Sequence, residues 1–564
     1  MIKNSNTSVV FTSSRKAIAV VQRLQKEPVK IVQSSKKIIA AVQRFNSDPN
    51  TTLLTNMSSE AAAASDPKTG AGQQSMLASQ RAKEEKAKTQ DAAKQAQRTY
   101  FPLGYRDAIH QWWTSVTPPI AERNVISCIP YLREAVAQSV APLDALPSAE
   151  HPGSQETSAK IDPFGPRVWK SQMVQLPGKN RGLNEFSVEH VDEPHDDTLV
   201  MLHGYGAGLG FYYKNFEPLT RTKGWKLYAL DMLGMGNSTR PPFRINAKDQ
   251  AGKITEAENW FIDALEDWRK ARKLEKFTLL GHSLGGYLAV SYALKYPGHL
   301  NKLILASPVG IPEDPYAVNS DLPEPQESTF QDEFTQDQQA TTQSHDQSRL
   351  KNSRPKPASA ETPKKRPYPG WLVWLWDANV SPFSIVRLSG PLGPRFVSGW
   401  TSRRFDHLPT DEAQTLHDYA YSLFRQRGSG EYALPYLLAP GAFARRPVIN
   451  RIQDVGRQVI TPESESSPAV KETGFPIIFM YGENDWMDKK GGIAAEEKLK
   501  QAKVKALLNS TDEEKRKENG SAKVVIIKKA GHHLYLDNAD DFNEVMKVEM
   551  EETRKQTLRE RERL

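Results

Sequence analysis

The segment KFTLLGHSLGGYLAVSYAL (276–294) runs an apolar stretch into Gly281-His282-Ser283-Leu284-Gly285, followed by Gly286 and the helical pattern Tyr287, Leu288, Val290, Tyr292 and Leu294. Strand, sharp turn and helix in that order make a nucleophile elbow. The turn forces Ser283 into a strained backbone conformation. Gly281 and Gly285 flank it because side chains there would collide with neighbouring backbone. The following helix aims N–H groups and the positive end of its dipole at a reacting oxygen. Such a serine attacks acyl carbons once a base takes its proton. The competing reading, a Gly-rich turn with an incidental serine, needs strand and helix to flank it by chance.

An elbow serine needs an acid and a base further along the chain, in that order. FPIIFMYGENDWMD (475–488) is a strand ending in Gly482-Glu483-Asn484-Asp485, and Asp485 lies where the loop after the strand reaches the site. Glu483 and Asp488 compete with it. KVVIIKKAGHHLYLDN (523–538) is a strand followed by Gly531, His532 and His533. His532 follows the small Gly531 at the strand's exit and is the expected base, with His533 left to packing or support. The base takes the serine proton, and the acid orients the imidazole and stabilises its charged form. VMLHGYGAGLGFY (200–212) adds a glycine-rich loop after a strand. It is expected to supply the N–H of Tyr205, which pairs with that of Leu284 as an oxyanion hole. Alone, the loop resembles a phosphate cradle, but it lacks a G-K-[ST] ending. The chemistry calls for no metal and no cofactor.

These residues need strands that end together. Strands are expected at 167–175, 183–191, 198–202, 225–230, 276–280, 301–306, 475–481 and 523–528, with helical patterns between them. Short buried strands alternating with helices imply an α/β fold with a mostly parallel sheet covered on both faces. The interval between the strands at 301 and 475 far exceeds a crossover helix, so an inserted helical lid is expected there.

The chain has 564 residues, 38% hydrophobic and 25% charged, which fits a folded core with disordered segments. It contains no apolar run of the 18 residues a spanning helix requires. One cysteine, Cys128, excludes an internal disulfide. The net charge of +8 is concentrated at one end: residues 1–56 hold nine Lys/Arg and two acidic residues, so the remainder carries only +1. A nucleic-acid-binding body is therefore not expected. The leader repeats itself, SSRKAIAVVQRLQKEP at 13–28 and SSKKIIAAVQRFNSDP at 34–49, each copy with one apolar helical stripe. Basic, Ser-rich and almost free of acid, it reads as a mitochondrial transit peptide. A surface amphipathic arm, or a start at Met57, is the alternative; the latter implies a cytosolic or lipid-droplet location. The expected organisation is leader 1–56, low-complexity linker 57–100, first core part 101–312, disordered insert 313–367, lid 368–470 and second core part 471–564. STDEEKRKENGS (510–521) reads as a long surface loop.

With these motifs the chain resembles the α/β-hydrolase superfamily over roughly 100–560, and DMLGMGNS (231–238) is similar to that superfamily's D-x-x-G-x-G-x-S turn. SPFSIVRLSGPLGP (381–394), the stretch at 419–452, GHHLYLD (531–537) and QWWTSVTPPIAERNVISCIPYL (111–132) are similar to the lysophospholipid acyltransferase/lipase co-activator subfamily. Within it the resemblance runs to the fungal mitochondrial cardiolipin-specific deacylases and their lysophosphatidic acid acyltransferase paralogues. The resemblance implies a serine-dependent phospholipid deacylase; its co-activator branch lacks the serine that Ser283 retains here. An acyltransferase-like H-x-x-x-x-D motif is matched by His532 and Asp537, but that histidine is also the triad base. Deacylase and acyltransferase share an acyl-enzyme and differ in whether water or a lysolipid hydroxyl receives the acyl group.

The expected partner is a phospholipid substrate at a membrane surface, with protein partners unspecified. Trp371, Trp374, Trp376, Phe383 and Leu388 in the lid, with Trp112 and Trp113 in the leading segment 111–132, suit a membrane interface or a lid core. Arg445 and Arg446 are candidate phosphate headgroup contacts, the alternative being a solvated surface pair. Two further readings stand beside the enzyme: a lipid-bound lipase activator, and a soluble peptidase or small-ester hydrolase.

Overall fold

The strands that carry the active-site loops are apolar on both faces, so they need helices on both sides. A computed structural model describes residues 101–132, 155–157, 162–191, 193–315, 376, 378–463, 469–508 and 510–562. The expected leader, the linker, nearly all of the 313–367 insert, and Trp371 and Trp374 lie outside them. Nine strands form the main sheet among the described residues: β1 (Gln155–Glu156), β2 (Arg167–Gln175), β3 (Gly182–His190), β4 (Asp197–Leu202), β5 (Trp225–Leu230), β6 (Phe277–His282), β7 (Leu300–Ala306), β8 (Pro476–Gly482) and β9 (Ser521–Ile527). Their order is β1-β2-β3-β5-β4-β6-β7-β8-β9. Pairing is antiparallel from β1 to β5 and parallel from β5 to β9.

All eight expected strands are present, with ends within two residues of the expected ones. The exception is β1, two residues paired with Trp169 and Val168. It is too short to leave a periodic signal.

The longer helices are α1 (Tyr105–Thr114), α2 (Pro118–Ile126), α3 (Tyr213–Leu219), α4 (Gln250–Ala271), α5 (Leu284–Lys295), α6 (Pro382–Leu388), α7 (Gly393–Arg404), α8 (Thr410–Phe424), α9 (Lys489–Leu508) and α10 (Ala539–Glu562). Alternate residues of β4 divide between two cores. Leu199 and Met201 pack with side chains of α2, α3, α7, α8 and α10. Val200 and Leu202 pack with side chains of α4, α5 and α9. This is the period of two expected of a strand buried on both faces.

The chain leaves the sheet after β7 and re-enters at β8, yet the two strands pair directly, Leu303 with Ile477. Helices α6, α7 and α8 arise in that excursion. Helix α1 is docked onto them: Gln111 Oε1 accepts from His417 Nε2 at 3.0 Å, its amide donates to Asp418, and the Leu103 N–H donates to Ser398 Oγ at 3.0 Å.

One expectation needs correction, and one alternative is decided. The segment 510–521 is no plain loop, because it holds a helix at Asp512–Lys517. Thr511 accepts from the Glu514 N–H while the Glu514 carboxylate accepts from the Thr511 N–H, a capping box, and acids precede bases along the turn. Trp376 is buried, its indole N–H donating to Leu438 O at 3.3 Å, so it serves the core and not an outer surface.

Candidate active site

Ser283 joins β6 to α5 with φ 53° and ψ −117°, a left-handed conformation that costs an L-residue free energy. The crowding around it explains the elbow's glycines. A Cβ on Gly281 would lie 2.4 Å from Gly285 O, and one on Gly285 would lie 2.6 Å from His203 O. The Ser283 carbonyl accepts the N–H groups of Gly286 and Tyr287 at 3.0 and 3.2 Å. The N–H of Leu284 therefore opens the helix at its positive end.

The glycine-rich loop lies against the serine. A Cβ on Gly204 would sit 2.9 Å from Ser283 Cβ, so only glycine permits the approach. His203 sets the direction of the next peptide. Its Nε2 accepts the Met232 N–H at 3.1 Å, which places the proton on Nδ1, and Nδ1 donates to Gly204 O at 2.7 Å. The N–H of Tyr205 lies on the opposite edge of that planar peptide, away from His203. Burial holds His203 below its ordinary pKa despite the nearby Asp231, so the ring is neutral.

At the other side, His532 Nδ1 faces Asp485 Oδ1 at 3.2 Å. Nε2 is then the nitrogen that would act on a serine hydroxyl. Asp485 Oδ1 also accepts the Met487 N–H at 3.0 Å. Its Oδ2 accepts the Ser307 hydroxyl and, at 3.4 Å, the Gly482 N–H. Burial pushes the Asp485 pKa up, but the hydrogen bonds from His532, Ser307 and Met487 outweigh it and hold the carboxyl below its usual range. Glu483 and Asp488 are turned to other work, accepting the N–H groups of Lys529 and Lys490. Trp486 lies beside the His532 ring, with centroids 4.9 Å apart.

His282, the second residue of G-x-S-x-G, ties the two halves together. Its Nε2 lies 3.0 Å from the His532 carbonyl, which can only accept, so Nε2 carries the proton. Burial, with His532 next in effect, lowers its pKa well below the ordinary value and keeps it neutral. His533 is likewise buried and neutral, packed against His282 and Tyr535. Asp537 Oδ2 accepts the Gly531 N–H at 2.9 Å, and its Oδ1 pairs with Arg404 of α7 at 3.1 Å. That carboxylate steadies the loop of His532 and links it to α7. Phe383 of α6 stacks on Tyr205 at 5.2 Å and on Phe424 at 4.5 Å, which covers the glycine loop.

The two arginines read as headgroup contacts have protein partners. Arg445 Nε donates to Pro435 O at 2.7 Å. Arg446 donates to Glu258 Oε2, Ala251 O and Thr255 Oγ1, and Arg451 donates to Glu258 Oε1. They fasten this segment to α4. Sequence reasoning overlooked His203, His282 and Ser307: the first two stood inside quoted motifs, but only partners distant in the chain reveal their hydrogen bonds.

Asp231 organises the DMLGMGNS turn. Its Oδ1 accepts the Leu209 N–H at 2.7 Å, and its Oδ2 accepts the Asn237 N–H and the Asn184 amide. Beside it the buried Glu122 of α2 accepts from Asn184 and Asn237. Burial, then repulsion by Asp231, raises the Glu122 pKa to about 8. The unfolded chain releases this proton near 4.5, whereas the folded chain keeps it until about 8, so stability falls as pH rises through that window. We expect Glu122→Gln to lose less stability between pH 5 and pH 8 than the wild type in denaturant titrations. An equal loss in both would refute the assignment.

Residues 197–539 match the family model for the alpha/beta hydrolase fold, and the chain belongs to that family. Among its relatives is a 1-acylglycerol-3-phosphate O-acyltransferase from Arabidopsis thaliana, 31% identical over 352 residues, or 61% of this chain and 64% of that protein. The 1-acylglycerol-3-phosphate O-acyltransferase ABHD5 of Mus musculus is 27% identical over 70% of this chain and 88% of its own length. The (lyso)-N-acylphosphatidylethanolamine lipase of Homo sapiens is 28% identical over 67% and 85%. The alignments with the Arabidopsis and rice relatives span less than two thirds of those proteins' length.

Proposed function

We propose that this chain is a serine-dependent acyl-ester hydrolase that removes an acyl chain from a phospholipid, cardiolipin or a related lipid, at a membrane surface. The strained Ser283 and a His532–Asp485 pair, all beyond the C-terminal ends of parallel strands, carry this reading. Ser283 Oγ attacks the ester carbonyl as His532 Nε2 takes its proton. The N–H groups of Tyr205 and Leu284 receive the oxyanion. Collapse returns the proton from His532 to the departing lysolipid oxygen and leaves an acyl-serine, which water hydrolyses with His532 again as base. Relatives named as a lipase and as acyltransferases support a lipid ester as substrate.

The acyltransferase names of several relatives favour a second reading, with a lysolipid hydroxyl as acceptor. The engagement of Asp537 by Gly531 and Arg404 supports an orienting role common to both reactions. On cardiolipin-containing vesicles, we expect the purified chain to release free fatty acid and lysolipid. Added lysolipid should leave most of that release intact, and Asp537→Asn should lower hydrolysis and transfer together. Lysolipid acylation that dwarfs fatty acid release would make this an acyltransferase. Failure of Ser283 to react with a fluorophosphonate probe would favour the lipase-activator reading.

An exposed apolar patch supports membrane contact. Trp113 is 81% exposed and Leu388 74%, with Tyr105, Ile109 and Ile385 also exposed. Helices α1 and α6, which carry them, both pack on Gly390–Leu392. Such side chains suit the interface of a bilayer. Among the described residues no helix is long and apolar enough to cross a membrane. The leader supports mitochondrial import: residues 1–56 fused to a reporter should reach mitochondria, and Glu at Arg15, Lys16, Arg23 and Lys26 should stop it. A cytosolic wild-type fusion would refute import and favour a start at Met57.

A further inference from the structure

Ser307 stands immediately after β7, fully buried, at φ 45° and directly before Pro308. Both circumstances are unfavourable for serine. Left-handed backbone costs any residue with a Cβ, and a following proline disfavours α-like conformations. Glycine would fill the position with less strain. The backbone there is held from outside, because the Ser307 N–H donates to Met480 O of β8 at 2.7 Å. The side chain reaches one partner of consequence, donating its hydroxyl to Asp485 Oδ2.

The consequence lies in how a carboxylate turns. The terminal torsion of an aspartate is broad and nearly two-fold, so packing alone specifies it weakly. Asp485 must present Oδ1 to His532 Nδ1, 3.2 Å away. The Gly482 N–H contact to Oδ2 is long, at 3.4 Å. The Ser307 hydroxyl is thus the near donor that pins Oδ2, and with it the plane of the carboxylate. Strained residues kept at functional sites fit this pattern.

We propose that Ser307 is a positioning residue that fixes the rotation of the Asp485 carboxylate toward His532. The inference rests on the reading of Ser283, His532 and Asp485 as a triad. Its test separates hydroxyl from backbone. Ser307→Ala and Ser307→Gly both delete the hydroxyl, but only glycine accommodates φ 45°. Fluorophosphonate labelling of the purified full chain reads Ser283 reactivity without knowledge of the lipid. Both variants should label about 10- to 100-fold more slowly than wild type, the loss expected of a hydrogen bond to a charged group. Ser307→Gly should nevertheless melt no lower than Ser307→Ala, and Ser307→Cys, with its weak S–H donor, should recover part of the rate. Reactivity that follows melting temperature, with glycine near wild type and alanine low, would overturn the proposal. So would unchanged labelling in both. A wild-type chain that is not labelled would refute the triad reading itself, a result distinct from either.

Discussion

Ser283→Ala yields a folded chain whose acyl-ester turnover is lower by about 10⁴-fold or more. The nucleophile's hydroxyl is the only group removed. Alanine meets the same backbone demand at φ 53° as serine does, and the close approach of Gly204 is to Ser283 Cβ, an atom that alanine retains. The melting temperature should therefore remain near that of the wild type while fluorophosphonate labelling disappears. Residual activity above a small fraction, in protein free of wild-type contamination, would remove Ser283 from the role of nucleophile.

Asp485→Asn comes next, with turnover lower by about 10³- to 10⁴-fold. The carboxylate faces only donors. His532 Nδ1 and the Met487 N–H approach Oδ1, while the Ser307 hydroxyl and the Gly482 N–H approach Oδ2. Asparagine has one acceptor oxygen, so its NH₂ must meet one of these sets. If the NH₂ turns toward His532, Nδ1 can satisfy it only by giving up its proton. The imidazole then carries hydrogen on Nε2 and cannot receive one from Ser283. If the NH₂ turns the other way, the Ser307 hydroxyl must reverse and the Gly482 N–H loses its acceptor. Turnover and labelling should fall together. An Asp485→Asn variant within about tenfold of wild type would shift attention to another acid.

The strands were legible because their chemistry is local: TLVML and FPIIFMY can hardly be anything but strands buried on both sides. The Ser283 turn was legible for the same reason, since its glycines, strand and helix lie within a few residues. Asp485 and His532 could be named because each follows a strand, but their 3.2 Å approach depends on β8 and β9 lying parallel. What could not be read depends on partners far away in sequence. Arg446 looked like half of a free surface pair, and its partner Glu258 lies 188 residues earlier. Ser307, one residue past the expected strand at 301–306, drew no notice, and its partner is 178 residues later. Trp376 suited a membrane surface and a core equally by type, and the Leu438 carbonyl that holds it indoors has no signature. Side-chain type states what a group can do; only the fold states what it meets.

The direct pairing of β7 with β8 across the long excursion affects the order in which the proposed site is assembled. A ribosome delivers the glycine loop, then Ser283, then 202 further residues up to Asp485, and His532 later still. Until β8 and β9 add to the open edge of β7, the serine has neither partner and is no more nucleophilic than any alcohol. On the proposed mechanism a nascent chain thus carries Ser283 through synthesis in a silent state. Truncated products that stop within the excursion are silent as well. On the proposed mechanism, reactivity begins with the closing of the last parallel strands, so completion of the sheet is also the switch that arms the site.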